Sequence, residues 1–235
     1  EQREPLVQGS ELVFGTGGER FVLVDASAPG LVAIADDGRV VQASAGLLCL
    51  PSEDEPEITL LEQLDGRWQL ETEQGSRLLD AQEPLTAGGV GWRIHLPGPV
   101  QYTDEGGEER MSVADIALEL VVSRDEEHVV MRVHHMGHGI ELRSRAHDFF
   151  LLALARARLA DQAQPGLAEA EHGWVYRQDL ARSLKIDRNL LNLWIYRARR
   201  QFTDAGVHDV GGLVERRTSA EQLRLGIARL RVSSG

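Results

Sequence analysis

The run "IDRNLLNLWIYRARRQF" (186–202) carries the side chains of this sequence that are best suited to bind an anion. At about 100° per residue, its apolar side chains fall within one arc of about 140°. These are Leu190, Leu191, Trp194, Ile195, Ala198 and Phe202. The opposite arc holds Arg188, Asn189, Asn192, Leu193, Tyr196, Arg199 and Arg200, with Arg197 on its flank. The pattern predicts an amphipathic helix that buries the first arc and exposes the second.

The residue types of the exposed arc are those that contact double-stranded DNA. Arginine donates to guanine O6 and N7 or to a phosphate, asparagine pairs with adenine, and leucine meets the thymine methyl group. Two further arginines follow at 216 and 217 and would lie on a neighbouring element. The predicted DNA-binding residues are Arg188, Asn189, Asn192, Leu193, Tyr196, Arg197, Arg199, Arg200, Arg216 and Arg217. The alternative is a charged helix face that is only solvated.

The elements around this helix have the order of a helix-turn-helix followed by a hairpin. "SRAHDFFLLALARARLADQ" (144–162) has apolar residues at helical spacing, with Ser144 as a candidate N-cap. "RQDLARSL" (177–184) predicts a short second helix, and Asp187 is placed to cap the third. "LVERR" and "QLRLGIARLRV" predict a closing β-hairpin around "TSAE", and three strand-like runs precede the helices.

Residues 117–231 resemble the winged-helix DNA-binding domain of the OmpR-type response regulators. "HDFFLLALA" is similar to that family's first helix, "VYRQDLARSL" to its second, and "LNLWIYRARRQF" to its recognition helix. The resemblance implies a bacterial transcription regulator that places the third helix in the major groove and the hairpin wing on the adjacent backbone. The family's Gly-x-Gly-Tyr wing signature is absent, and the loop between the first two helices is longer than in the family.

Charge divides the chain into two unequal parts. Residues 141–235 contain 16 basic and 11 acidic residues, a balance of +5. The other 9 basic and 26 acidic residues lie in 1–140, a balance of −17, and the whole chain has a net charge of −12. The second part can therefore attract a polyanion and the first cannot. One hypothesis is that the carboxylates of the first part mimic DNA and cover the basic helix.

Short apolar runs separated by turn signals, such as "LVAIADDGRVVQA", predict an all-β sandwich over residues 10–98. "GRWQLE" (66–71), "TEQGS" (72–76) and "LTAGGVGWRIHLP" resemble the forkhead-associated (FHA) domain, a sandwich that usually binds phosphothreonine. Residues 1–98 lack that family's Ser-x-x-His, and a phosphate needs cationic or backbone donors. Phosphopeptide-binding residues are therefore not assigned, and a protein partner or homodimerisation is expected instead.

The predicted organisation is thus an FHA-like sandwich (10–98), an acidic linker (99–112) and an α+β winged-helix domain with a preceding small antiparallel sheet (113–233). No apolar run reaches the ~18 residues of a membrane span, no signal-peptide pattern is present, and Cys49 is the single cysteine. A cytoplasmic protein without a membrane partner is expected.

Other polar clusters predict no site. His134 and His135 are adjacent and would point to opposite faces of a strand, so no metal is expected. The Gly-rich runs at 15–18 and 87–91 lack a P-loop lysine and are interpreted as turns. The acidic run "SEDEPE" lacks the spacing of a calcium loop and is interpreted as a solvated edge.

No catalytic residues and no cofactor are predicted, so the chain is not expected to be an enzyme. Its predicted function is transcription regulation through double-stranded DNA, with the sandwich as a regulatory or protein-interaction domain. The alternative is an FHA-type phosphoprotein adaptor in Ser/Thr kinase signalling that does not bind DNA.

Overall fold

The computed structural model describes residues 9–14, 18–23, 30–80, 83–96 and 111–235. The predicted linker lies outside the described residues except for its last two positions. The strands of the first half are β1 (Glu11–Phe14), β2 (Glu19–Val22), β3 (Val32–Ala35), β4 (Val40–Gln42), β5 (Leu47–Pro51), β6 (Pro56–Glu62), β7 (Trp68–Thr72), β8 (Gly75–Leu78), β9 (Leu85–Ala87) and β10 (Val90–His95). They form the hairpin β1-β2 and two four-stranded antiparallel sheets, ordered β4-β3-β10-β9 and β5-β6-β7-β8.

The two four-stranded sheets of the first half share one hydrophobic core. Ala33 and Trp92 enter it from one sheet, and Leu48, Leu60 and Leu70 enter it from the other. The indole Nε1 of Trp92 donates a hydrogen bond of 3.1 Å to the carbonyl oxygen of Ala87. The prediction of a β-rich first half is therefore confirmed, and the Gly-rich run at 87–91 forms the β9-β10 turn as predicted.

Strand β5 is buried on both of its faces. Leu48 and Leu50 point into the core of the first half, whereas Leu47 and Cys49 belong to a second, larger core together with Leu61 of β6. Two-sided burial explains why this strand is a continuous apolar run and does not alternate with polar residues. The outer face of the β5-β8 sheet is thus covered by the second half of the chain.

The second half contains the helices and is formed by residues 111–235. Its elements are β11 (Ala117–Val122), β12 (Val129–His135), β13 (His138–Leu142), α1 (Asp148–Gln162), β14 (Val175–Tyr176), α2 (Arg177–Leu184), α3 (Arg188–Asp204), β15 (Val214–Arg217), β16 (Gln222–Leu225) and β17 (Arg229–Ser234). The strands form the sheets β13-β12-β11-β17 and β14-β16-β15. The predicted turn at "HHMGH" connects β12 and β13.

The last predicted strand is divided in two. β16 pairs with β15, and the predicted hairpin is confirmed there. β17 instead pairs in parallel with β11, so the sheet that was predicted to be antiparallel has one parallel edge. The division falls at Gly226, where a Cβ would overlap the carbonyl oxygen of Gly212, so the chain can pass this point only as glycine.

The helices agree closely with the sequence pattern. α2 has the predicted bounds, and α3 begins after Asp187, whose side chain accepts a 2.8 Å hydrogen bond from the amide of Leu190. Lys185 is left-handed (φ 56°) and ends α2, which makes the tight turn into α3. The cap of α1 was predicted wrongly, because His147 precedes the helix and Ser144 lies further upstream.

Candidate nucleic-acid interface

Helix α3 packs against two neighbours. Leu191, Ile195, Ala198 and Phe202 are buried in the core of the second half, as predicted, and Leu190 and Trp194 are half-buried. The opposite side faces the β5-β8 sheet of the first half. Tyr196 and Arg199, expected to be exposed there, are only 3% and 0% exposed, so that part of the prediction is wrong. Periodicity identified one buried face, but α3 has two.

The buried centre of this contact is an ionic triad. Glu71 of β7 accepts two hydrogen bonds from Arg199, at 2.6 Å to Nη1 and 3.0 Å to Nη2. The same carboxylate lies 2.9 Å from Nη2 of Arg216 on β15. Arg199 also donates to the carbonyl oxygens of Gly211 and Val214, at 3.2 and 3.0 Å. The guanidinium of Arg199 is therefore held by two carbonyl oxygens of the second half and by the carboxylate of Glu71 from the first half.

The charges of the triad depend on each other. Burial alone would raise the pKa of Glu71, but Arg199 and Arg216 together outweigh it and hold that pKa below its ordinary value. Burial in turn lowers the pKa of Arg216. The triad consequently remains ionised, and removal of Glu71 would leave two buried arginines without a counter-charge.

Around the N-terminal end of α3, a second carboxylate of the first half contacts the predicted DNA-binding residues. Glu73, in the β7-β8 turn, accepts a hydrogen bond of 3.2 Å from Nδ2 of Asn192 and lies 3.5 Å from Nη1 of Arg188. The other amide atom of Asn192, Oδ1, accepts a 3.1 Å hydrogen bond from Arg177 of α2. Both polar atoms of the Asn192 side chain therefore have partners in this arrangement.

Along the middle and C-terminal part of α3, the partners come from the β5-β6 turn. Glu53 accepts a hydrogen bond of 2.6 Å from the hydroxyl of Tyr196 and lies 4.0 Å from Nη1 of Arg200. Asp54 lies 3.4 Å from Nη2 of Arg197. Burial and the bond to Glu53 raise the pKa of Tyr196, which stays a protonated donor. Glu53 and Asp54 are 66% and 88% exposed, as the interpretation of "SEDEPE" as a solvated edge predicted, and they also contact α3.

We call this set of contacts the α3 seam. Its centre is Glu71, Arg199 and Arg216, and its rim is Glu53, Asp54, Glu73, Arg188, Asn192, Tyr196, Arg197 and Arg200. Seven of the ten predicted DNA-binding residues belong to it. All four of its carboxylates come from the acidic first half, and the signal that could have identified them was the opposed charge of the two halves.

The three other predicted residues lie beside the seam. Asn189 is exposed and Leu193 is half-buried on α3. Arg217 lies on the β15-β16 hairpin, where it binds Glu171 at 2.9 and 3.0 Å and stacks over the ring of Trp174 at 4.3 Å. The same hairpin approaches the first half, because a Cβ at Gly75 would lie 3.2 Å from Oγ1 of Thr218. The first half thus touches both α3 and the hairpin.

Other kinds of site have less support. Within the described part of the chain, no group of three His, Cys, Asp or Glu side chains could hold a metal ion. His134 contacts Glu119 at 3.3 Å, which accounts for one member of the histidine cluster. None of the helices in the described ranges has the length and apolar content to cross a membrane.

Comparison of the chain with protein-family models, with curated proteins and with solved structures gives no match. The function is therefore inferred from the residues and from their geometry.

Proposed function

We propose that this protein is a transcription regulator that binds double-stranded DNA through α3, and that its first half holds α3 in a closed form. In this proposal the second half is a winged helix of the OmpR type, with the β15-β16 hairpin as the wing, and the first half is an FHA-like sandwich. A bacterial source and a cytoplasmic location belong to the same proposal.

The order and connections of the elements support the winged-helix assignment. A small sheet precedes α1, and a tight turn joins α2 to the capped α3. The β15-β16 hairpin follows α3 and carries two predicted contact residues, Arg216 and Arg217. In helix-turn-helix proteins the second helix of such a pair enters the major groove, and residues near its N-terminus contact base edges.

The single observation that carries the proposal is that donors along α3 already bind oxyanions. Side chains at 188, 192, 196, 197 and 199, more than two turns of the helix, each meet a carboxylate oxygen of the first half. Phosphate oxygens present the same acceptor chemistry to arginine, asparagine and tyrosine. The face of α3 that packs on the first half therefore binds a row of anionic groups.

A duplex and the first half therefore compete for α3. Residues 1–110 contain 7 basic and 21 acidic residues, a balance of −14, which repels DNA from the closed form. Residues 111–235, which carry α3, contain 18 basic and 16 acidic residues, a balance of +2, so release of α3 removes that repulsion and leaves its arginines to attract a duplex. The rim ion pairs of Arg188 and Arg197 are exposed and weak individually, whereas the centre and Tyr196 are buried and must be separated from the first half for full access. A partner or a modification that acts on the first half would shift this equilibrium.

Fluorescence anisotropy with a labelled mixed-sequence duplex tests the proposal on the full chain. The variant E53Q/D54N/E73Q removes the rim carboxylates, and we expect it to bind DNA about tenfold more tightly than the wild type, since three weak pairs are lost. R188Q/R197Q should weaken binding and make the dependence on salt shallower.

The control for net charge is D37N/D65N/E83Q. These three carboxylates also lie in the first half and pair with arginines, but with Arg39, Arg67 and Arg77 of the same half. An equal gain in this control would contradict the closed form. Failure of every variant to bind DNA at low salt would contradict DNA binding itself.

The buried centre favours one alternative function. Arg199 has no exposed surface, and Leu47, Cys49 and Leu61 of the first half share a core with α3. These features suit a permanent contact in which the chain acts as a single protein-binding unit, as in a phosphoprotein adaptor that does not bind DNA. Absence of DNA binding by the rim variant, together with capture of a phosphopeptide, would favour the adaptor.

A further inference from the structure

A cavity of about 640 Å³ lies at the place where the β5-β6 turn meets the second half. Its walls are the end of β13 with the loop leading to α1, one side of α3, and the side chains of Glu53 and Asp54. Trp194 and Leu142 supply apolar surface. Its volume lies within the range of small-molecule sites.

Part of the charge that lines the cavity is already neutralised. The charged lining residues are Arg143, Arg145, Arg197, Arg200, Glu53, Asp54, Glu141 and Asp204. Glu141 accepts a 2.9 Å hydrogen bond from Arg132, which lies outside the cavity. Asp204 lies 3.1 Å from Nε of Arg200. Those two carboxylates are therefore engaged.

Three guanidinium groups of the lining have spare binding capacity. Within the described ranges, Arg143 and Arg145 are exposed and no carboxylate binds their side chains. Among the residues that the structure describes, Arg197 pairs only with Asp54, at 3.4 Å, and the side chain of Asp54 is 88% exposed. A pair so exposed contributes little, and its arginine remains available to a stronger acceptor.

The loop that carries Arg143 and Arg145 is tied to α3 through His147 and Gln201. Gln201 donates through Nε2 to the carbonyl oxygen of Arg143 at 2.8 Å, and its Oε1 lies 2.8 Å from Nε2 of His147. Burial lowers the pKa of His147, and the nearby cations Arg197 and Arg145 lower it further. His147 therefore stays neutral and donates to Gln201, so the arginine-bearing loop is held in place before any ligand arrives.

We propose that this cavity binds a small anion bearing phosphate or carboxylate groups, held by Arg143, Arg145 and Arg197. All three cations belong to the second half, whereas the charged groups that the first half contributes to the cavity, Glu53 and Asp54, are both acidic. Arginine forks bind such oxyanions through paired hydrogen bonds, so the ligand replaces Asp54 on Arg197.

Binding of the anion weakens the rim of the α3 seam. Once the ligand has replaced Asp54 on Arg197, that carboxylate faces the ligand without its partner, whereas Glu141 and Asp204 keep theirs. The affinity for the ligand is therefore higher when the β5-β6 turn has moved away, and the ligand shifts the protein toward that state. The effect on DNA binding rests on the proposed function, whereas the site itself and its competition with Asp54 do not.

Isothermal titration calorimetry of the full chain with inorganic pyrophosphate and, separately, with citrate tests the site. The two probes distinguish a phosphate ligand from a carboxylate ligand. We expect one site per chain, and R145Q should weaken it about tenfold through loss of a charge-assisted contact. D54N should strengthen it, because the competing carboxylate is gone. R156Q and D37N are the controls, since Arg156 and Asp37 lie outside the cavity.

Hydrogen exchange supplies a second measurement that needs no DNA. Pyrophosphate or citrate should speed exchange of the amides at 52–55 and leave those of β9 and β10 unchanged. The inference is overturned if neither probe binds at millimolar concentration, if R145Q binds as the wild type does, or if D54N fails to gain affinity. None of these results would contradict the proposed DNA binding, and absence of DNA binding would not contradict the proposed anion site.

Discussion

The centre and the rim of the α3 seam join the same two halves of the molecule, but their contacts differ in solvent exposure and in interatomic distance. At the centre, Glu71 and Arg199 are excluded from water, and their carboxylate-guanidinium bonds are short and paired. At the rim, Glu73 and Arg188 are 36% and 61% exposed, and their closest atoms are 3.5 Å apart. The distance and the solvent both weaken the second pair.

This difference in burial gives the centre and the rim different roles in the separation of the two halves. A buried triad is costly to break, because each partner would be left charged in a dry environment. An exposed pair exchanges readily with salt, with a small anion or with a phosphate of DNA. The centre therefore determines how long the halves stay together, and the rim determines which anionic competitor can begin to part them.

Breaking the centre should have the largest effect. Glu71→Gln preserves the shape of the side chain but leaves Arg199 and Arg216 without a buried counter-charge. We expect it to lower the free energy of unfolding by about 3–5 kcal/mol, as removal of one partner of a buried pair does. Urea denaturation at neutral pH measures this loss. Glu83→Gln, at an exposed pair with Arg77, is the control, and an equal loss in both variants would contradict the assigned role of the centre.

The pH dependence of that loss checks its cause. Because the pKa of Glu71 is lowered in the folded protein, its stabilising contribution is present above the unfolded pKa and is lost as the pH falls through the folded pKa. The gap in stability between wild type and Glu71→Gln should stay constant at neutral pH and narrow under acid conditions. A gap that does not change down to the acid limit would indicate lost packing and not lost charge.

A buried carboxylate that pairs with no arginine among the described residues provides a contrast to Glu71. Asp148 of α1 is fully buried, and burial raises its pKa to about 6. Its Oδ2 accepts a hydrogen bond of 2.6 Å from the backbone amide of Arg145, but its Oδ1 has no hydrogen-bond partner within the described residues. Ionisation of Asp148 therefore destabilises the fold, whereas ionisation of Glu71 supports it.

Asp148→Asn should consequently stabilise the protein above pH 6. A raised folded pKa means that the wild type loses stability as the pH rises from the unfolded value of 3.8 to about 6. The gain of the variant should reach roughly 1–3 kcal/mol at pH 8 and vanish near pH 4, since one pKa unit corresponds to about 1.4 kcal/mol. Thermal unfolding at the two pH values measures it. A variant that is less stable at pH 8 would contradict this account.

The local pattern of the sequence predicted the elements well. The bounds of α2, the Asp187 cap and the β15-β16 hairpin follow from periodicity and from turn residues, which act over a few positions. The residues of β17 were predicted as part of the hairpin strand, but its pairing was missed because its partner, β11, lies more than a hundred residues upstream. Parallel pairing of distant strands leaves no periodic signal in either strand.

The α3 seam was harder to predict for a related reason. In β7, Trp68 and Leu70 point into the first core, so simple alternation places Glu71 toward water. Only the second half, which packs on that outer face, makes Glu71 buried. The opposed charges indicated that the halves could attract each other, but they did not specify which arginine would meet which carboxylate.

Removing the rim alone should have the smallest effect on stability. The Glu73→Gln variant loses one exposed ion pair with Arg188 but keeps an oxygen that accepts from Asn192, and we expect the free energy of unfolding to fall by less than about 1 kcal/mol. Raising the salt from about 0.05 to 0.5 M should reduce even that difference, because exposed charges are screened. Urea denaturation at both salt concentrations measures it. A loss as large as that of Glu71→Gln, or one that salt does not change, would mean that Glu73 acts like the centre and that α3 cannot be released from the rim inward.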